Sequence, residues 1–134
     1  MTIDDFLGKL DMVIAKYPDE SESALRSGAN RMRKNLKEAW SENSELYHVR
    51  TGEIQKGWRT KYYMNGGNSE ANISNMSRHY HLIERGHKKV TPITKSVVGW
   101  QPGTHTTKKT VQNSEAEVKA VMANRMFRLL KDKL

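Results

Sequence analysis

The chain has 134 residues, with 23 Lys and Arg against 15 Asp and Glu, a formal charge of +8 and no cysteine. That length suits a single domain with one modest core, and the lack of cysteine excludes disulfide frameworks, thiolate metal sites and cysteine nucleophiles, which fits a reducing cytoplasm or an assembled particle. Asp4, Asp5 and Asp11 interrupt the apolar opening in a way a secretory core would not tolerate, and no run nears the roughly 18 consecutive apolar residues of a spanning helix, so a soluble protein without membrane contact is expected.

The first predicted element is an amphipathic helix over 2–17. Ile3, Phe6, Leu7, Leu10, Val13, Ile14 and Tyr17 recur at three- and four-residue steps, with Thr2 as N-cap and Asp4 and Asp5 in an acidic first turn. Pro18 stops it, and the acids from Asp19 to Glu22 open a second helix. In that helix Leu25, Ala29, Met32, Leu36, Ala39 and Trp40 form one apolar stripe, and Arg26, Arg31, Arg33, Lys34 and Lys37 take the other faces. Ala24, Gly28 and Ala29 are small enough to let another element approach closely, most simply in ordinary helix packing.

From Asn43 to Asn113 the helical period is lost and short β-branched or aromatic runs alternate with glycine and asparagine, which predicts strands and loops. The fold class is α+β: N-terminal helices, a small antiparallel sheet with a long loop or arm, and a C-terminal helix. Residues 57–64 read as a strand, Gly66 and Gly67 as a turn, and 71–75 as the return strand. Tyr80, Leu82 and Ile83 belong to a short helix or bent strand that Gly86 ends. Residues 88–110, with the turn-like Gln101, Pro102, Gly103 and Thr104, read as a mobile loop or arm on an otherwise single domain. A last helix is expected from about Ser114 to Leu134, with Glu115 and Glu117 in its first turn and Val118, Val121, Met122, Met126, Leu129, Leu130 and Leu134 on its apolar side.

The surplus charge is uneven. Arg85, Lys88, Lys89, Lys95, Lys108 and Lys109 lie in a segment without a single acid, so a positive field is expected there, suited to an acidic protein neighbour or to nucleic acid. His79, His81, Glu84 and His87 lack the i,i+4 histidines or cysteine pair of familiar zinc motifs, and ordinary surface histidines explain them better. Arg59, Lys61, Tyr62, Tyr63, His79 and His81 would supply a toxin-like ribonuclease, yet their spacing specifies no acid, base and anion hole. Nonspecific nucleic-acid contact through the lysines and arginines, with Trp100 and the Tyr62–Tyr63 pair stacking on bases, is the other alternative.

Three motifs carry a likeness to a known family. Thr51 and Gly52 are followed by Ile54, then Gly57 and Trp58; residues 79–87 read His-Tyr-His-Leu-Ile-Glu-Arg-Gly-His; and residues 99–105 read Gly-Trp-Gln-Pro-Gly-Thr-His. In order and spacing these resemble the Hong Kong 97 phage gene-product-ten-like proteins, described as phage tail components or neck proteins. Arg85 and the stretch from Lys88 to Val97 make this chain more basic after Glu84 than a minimal version would be. The resemblance implies a virion subunit of the head–tail neck or tail-completion region, working by assembly into a homo-oligomeric ring with other neck and tail proteins. It implies no catalytic residue, metal or cofactor, and a life in the host cytoplasm and then in the virion. Lys88, Lys89, Lys95, Trp100, Lys108 and Lys109 are the expected partner- or DNA-facing residues. Thr51, Gly52, Trp58, Tyr80, Glu84, Gly86, Pro102 and Gly103 are the expected structural motif residues, with Glu84 as a paired or capping carboxylate and Gly86 as a terminator with positive φ.

Overall fold

The computed structural model describes residues 2–42, 53–64, 69–77, 79–90 and 96–133. Helices α1 (Ile3–Gly8), α2 (Leu10–Lys16) and α3 (Pro18–Glu42) come first, then a single turn α4 (Glu53–Lys56). Strands β1 (Trp58–Tyr63) and β2 (Glu70–Asn75), the short helix α5 (Tyr80–Arg85), strands β3 (Gly86–Val90) and β4 (Val97–Pro102), and α6 (Thr106–Leu130) complete the order. The α+β reading therefore holds, but the strands form two separate antiparallel hairpins, β1–β2 and β3–β4.

Local chemistry sets the helix boundaries. Thr2 caps α1 as expected: its Oγ1 accepts from the Asp5 amide at 3.2 Å, and the Asp5 carboxylate accepts from the Thr2 amide at 3.2 Å. These bonds hold the Asp5 carboxyl below the usual carboxylate range. The expected single helix over 2–17 is broken at Lys9, next to Gly8, where glycine costs a helix about 1 kcal/mol relative to alanine. Tyr17 has φ −126° and ψ 71°, because a residue preceding proline is pushed out of the α region. Pro18 then becomes the first residue of α3, a position where its missing N–H costs nothing.

Helices α3 and α6 each have 25 residues, about 37 Å of helix, and they form the long axis of the molecule. They run antiparallel, since contacts from Arg125 to Ser23, Arg31 to Glu117, Asn35 to Ser114 and Trp40 to Thr107 progress in opposite directions along the two helices. Gly28 makes the close approach possible: a Cβ there would collide with Cγ of Met122 and lie 2.6 Å from its Sδ. The small residues on α3 thus serve helix packing within the chain.

The core has two parts along this axis. Phe6, Val13, Ala24, Met126 and Leu130 gather at one end, with Ile14, Tyr17, Met122, Phe127 and Leu129 against them. Leu36, Trp40, Ile54 and Trp58 gather at the other, backed by Met32, Ile73, Tyr80 and Ile83. The second part is organised by three rings. Trp40, fully buried, lies 6.5 Å from Trp58 and 5.2 Å from Tyr80, and Trp58 lies 5.6 Å from Tyr80 edge to face, geometries that add to the gain from burial. The β1–β2 hairpin covers α3 with alternate residues Trp58, Thr60 and Tyr62, and the Arg26 guanidinium stacks 4.3 Å over Tyr62.

The expected start of the last helix at Ser114 is corrected. α6 begins eight residues earlier, at Thr106, and Ser114 is buried in mid-helix, where its Oγ accepts from Asn35 Nδ2 at 3.1 Å. Lys108 and Lys109 therefore belong to the first turn of α6 and not to a loop or arm, and Lys88, Lys89 and Trp100 lie in strands β3 and β4.

Candidate functional site

The motif residues converge where α5 ends and α6 begins. Residues at a helix C-terminus leave carbonyls without intrahelical donors, and residues at an N-terminus leave amides without acceptors. Here each end satisfies the other. The carbonyls of Ile83 and Glu84 accept from the amides of Thr104 (2.8 Å) and His105 (3.1 Å). The Glu84 carboxylate, 8% exposed, accepts from the amides of Thr107 (2.9 Å) and Lys108 (3.1 Å) in the first turn of α6. That turn contains no acid of its own and two lysines, so Glu84 supplies the negative charge that the positive end of the helix favours.

Backbone shape makes the approach close enough. Gly86 has φ +92°, outside the range of side-chain-bearing residues, and a Cβ there would lie 2.6 Å from the Gln101 carbonyl oxygen and 2.9 Å from Cζ2 of Trp100. Gly103 faces the same junction from the other side. His105, with φ 52°, turns the chain from this contact into α6.

The junction is tied to the second core through Thr107. Its Oγ1 accepts from Trp40 Nε1 at 3.0 Å and from the Tyr80 hydroxyl at 2.7 Å. Burial holds the Tyr80 phenol above its ordinary value, and the nearby Glu84 carboxylate adds to the rise. Since the unfolded chain releases this proton first as pH climbs past about 10, the group's stabilisation is intact below that pH and fades above it. Tyr80→Phe is expected to cost about 1 kcal/mol at neutral pH and to flatten the alkaline limb of stability. Urea titrations of both proteins between about pH 9 and about pH 11 check this; a constant difference across that range would refute the assignment.

Beyond the junction, β3 and β4 form a hairpin whose register sets Gly86 opposite Pro102, His87 opposite Gln101, Lys88 opposite Trp100 and Lys89 opposite Gly99. Outside itself the hairpin packs mainly on α5. It brings Lys88, Lys89 and Trp100 together, with Lys88 and Trp100 as cross-strand neighbours on one face. Lys108 and Lys109 stand apart on α6, and Lys95, Thr51 and Gly52 lie outside the described residues. Trp58 and Tyr80 sit in the ring cluster.

His79 and His81 are exposed, and among the described residues no hydrogen bond or ring contact joins either to Arg59, Lys61, Tyr62 or Tyr63. The Arg59 guanidinium is bound to the carbonyls of Lys56 and Trp58, each at 2.9 Å. No group of three or more His, Cys, Asp or Glu suited to a metal occurs among the described residues, and no helix there is long and apolar enough to cross a membrane.

A protein-family model described as "Bacteriophage HK97-gp10, putative tail-component" matches residues 3–86. The chain belongs to the HK97-gp10-like family. It is a phage tail-component-like protein. Comparisons with curated proteins and with solved structures gave no match. The family match takes in α1 to α5 and the motifs at 51–58 and 79–86, and ends at the first residue of β3. The Pro-Gly motif at 99–105 falls beyond it.

One feature was invisible in the order of residues. Asn30, Arg33, Lys34 and Lys37 of α3 line a cleft of about 380 Å³ together with Lys56, Trp58 and Arg59. The helical basic run is evident in the sequence, but only the packing of β1 on α3 adds the second wall.

Proposed function

We propose that this HK97-gp10-like chain is a structural subunit of the head–tail neck or tail-completion region of a phage or prophage particle. It acts by protein–protein assembly into a ring or collar and carries out no reaction. The β3–β4 hairpin is its contact arm, and this observation carries the reading. A two-stranded hairpin is marginal alone in water and presents unpaired strand edges that a neighbour can extend. This one exposes large apolar side chains, Trp100 at 56% and Val97 at 60%, beside Lys88 and Lys89. An amphipathic surface of that kind suits a neighbour offering an apolar slot rimmed by acids, with Trp100 as the anchor. A closed ring needs two different faces on each subunit, and the hairpin provides one that is separate from the helical body.

Quantitative mass spectrometry of purified particles tests the proposal. The chain is expected at a fixed small copy number relative to capsid and tail proteins, and Trp100→Ala is expected to lower that number several-fold while the free protein stays folded. Absence of the wild-type chain from intact particles would overturn the reading.

A further inference from the structure

We infer that the cleft between α3 and β1 is a binding site for the sugar-phosphate backbone of nucleic acid. Five cations line it, Arg33, Lys34, Lys37, Lys56 and Arg59, and no acid does. All five side chains are exposed, and among the described residues none of them forms a salt bridge. Elsewhere Arg31 of α3 pairs with Glu117, Lys119 with Glu115, and Lys133 with Glu20. Unpaired like charges set around one concavity repel each other, a cost that an anionic ligand removes.

The walls differ in rigidity. Arg59 is held by two backbone carbonyls through one guanidinium nitrogen, Nη1, which leaves its other donors to present a fixed fork of the kind that matches phosphate. Arg33 and Lys37 are one helical turn apart on α3 with Lys34 beside them, so the opposite wall offers a row of charges along a rigid rod. Trp58 lines the cleft as well, and its buried Nε1–H has no acceptor among the described residues.

The choice of phosphate backbone follows from what the cleft lacks. It has no exposed aromatic on which a base could stack, because Trp58 is 5% exposed, so recognition is by charge and indifferent to sequence. The five cations with no acid among them match a continuous polyanion better than scattered single carboxylates. The site is also distinct from the hairpin on which the assembly reading rests, so the two can fail separately.

The test uses the full chain and a fluorescein-labelled 20-base-pair duplex, followed by fluorescence anisotropy across a salt series. Arg33→Gln with Lys37→Gln is expected to weaken binding at least tenfold at low salt. The same pair should reduce the slope of log K against log salt by about 1.8, since each phosphate contact contributes about 0.9. Lys34→Gln with Lys56→Gln, drawn from both walls, should act alike, whereas the charge-matched pair Arg128→Gln with Lys131→Gln should change affinity less than twofold. Equal loss from the charge-matched pair, or unchanged binding in both cleft pairs, would overturn the site. Tighter binding of a ten-glutamate peptide than of the duplex would reassign the cleft to an acidic protein segment. Tripolyphosphate binding as tightly as the duplex would reassign it to a small free phosphate.

Discussion

Gly103→Ala is expected to destabilise the protein by about 3–5 kcal/mol, as the sum of overpacking and two lost hydrogen bonds. A Cβ at this position would collide with the Glu84 carbonyl oxygen and fall 2.5 Å from the Arg85 carbonyl carbon and 2.7 Å from the Gly86 amide nitrogen. All three are backbone atoms at the end of α5, which cannot swing aside as the end of a side chain can. The chain at 103–105 must therefore lift away, and the bonds from the Thr104 and His105 amides to the Ile83 and Glu84 carbonyls go with it. Gly99→Ala, in the adjoining hairpin, is the control: the nearest atom to a Cβ there is Lys89 Cδ at 3.8 Å, an ordinary contact. Urea unfolding should separate the two variants by several kcal/mol, and equal midpoints would show that Gly103 is not a point of contact between backbones.

The second large effect belongs to Glu84. Glu84→Ala removes a mostly buried carboxylate that accepts two amides of α6, and it leaves a helix that opens with Lys108 and Lys109 and no acid. Charge-assisted hydrogen bonds and a lost cap together set the cost at about 3 kcal/mol. Glu84→Gln should fall between, at about 1–2 kcal/mol, because one amide oxygen must serve two donors while its NH₂ faces an N–H. Hydrogen exchange gives an independent reading: the Thr107 and Lys108 amides should lose protection in the alanine variant before those in the middle of α6. An alanine variant within 0.5 kcal/mol of the parent, a change typical of an inconsequential surface site, would mean that the carboxylate does not cap the helix.

Those two residues also show where sequence reasoning reaches and where it stops. Local signals were legible: the Thr2 N-cap, proline at the junction of α2 and α3, the apolar stripe ending in Trp40, and the β1–β2 pairing, while the turn expected at Gly66 and Gly67 lies outside the described residues. The positive φ of Gly86 was legible for the same reason, since a helix that must end before an extended strand needs such a residue. The start of α6 was not. Thr106, Thr107 and Thr110 are β-branched, and Lys108 and Lys109 oppose the helix dipole. What makes them helical is a carboxylate more than twenty positions earlier, which no window along the chain contains. Ser114 looked like a cap because serine followed by acids usually is one. In the fold it is a buried partner for Asn35 on the opposing helix. The basic cleft was hidden likewise: Arg33, Lys34 and Lys37 read as a solvated face until β1 brings Lys56 and Arg59 alongside.

The latch between α5 and α6 has an architectural consequence. Because the chain is fastened on both sides of the hairpin, at 83–86 and again at 103–108, the intervening stretch leaves and rejoins the body at nearly the same place. Closing such an excursion costs little more when it lengthens, about 0.6 kcal/mol for each doubling. The helices beneath are therefore expected to keep their packing when the hairpin between these two fastenings is shortened or extended.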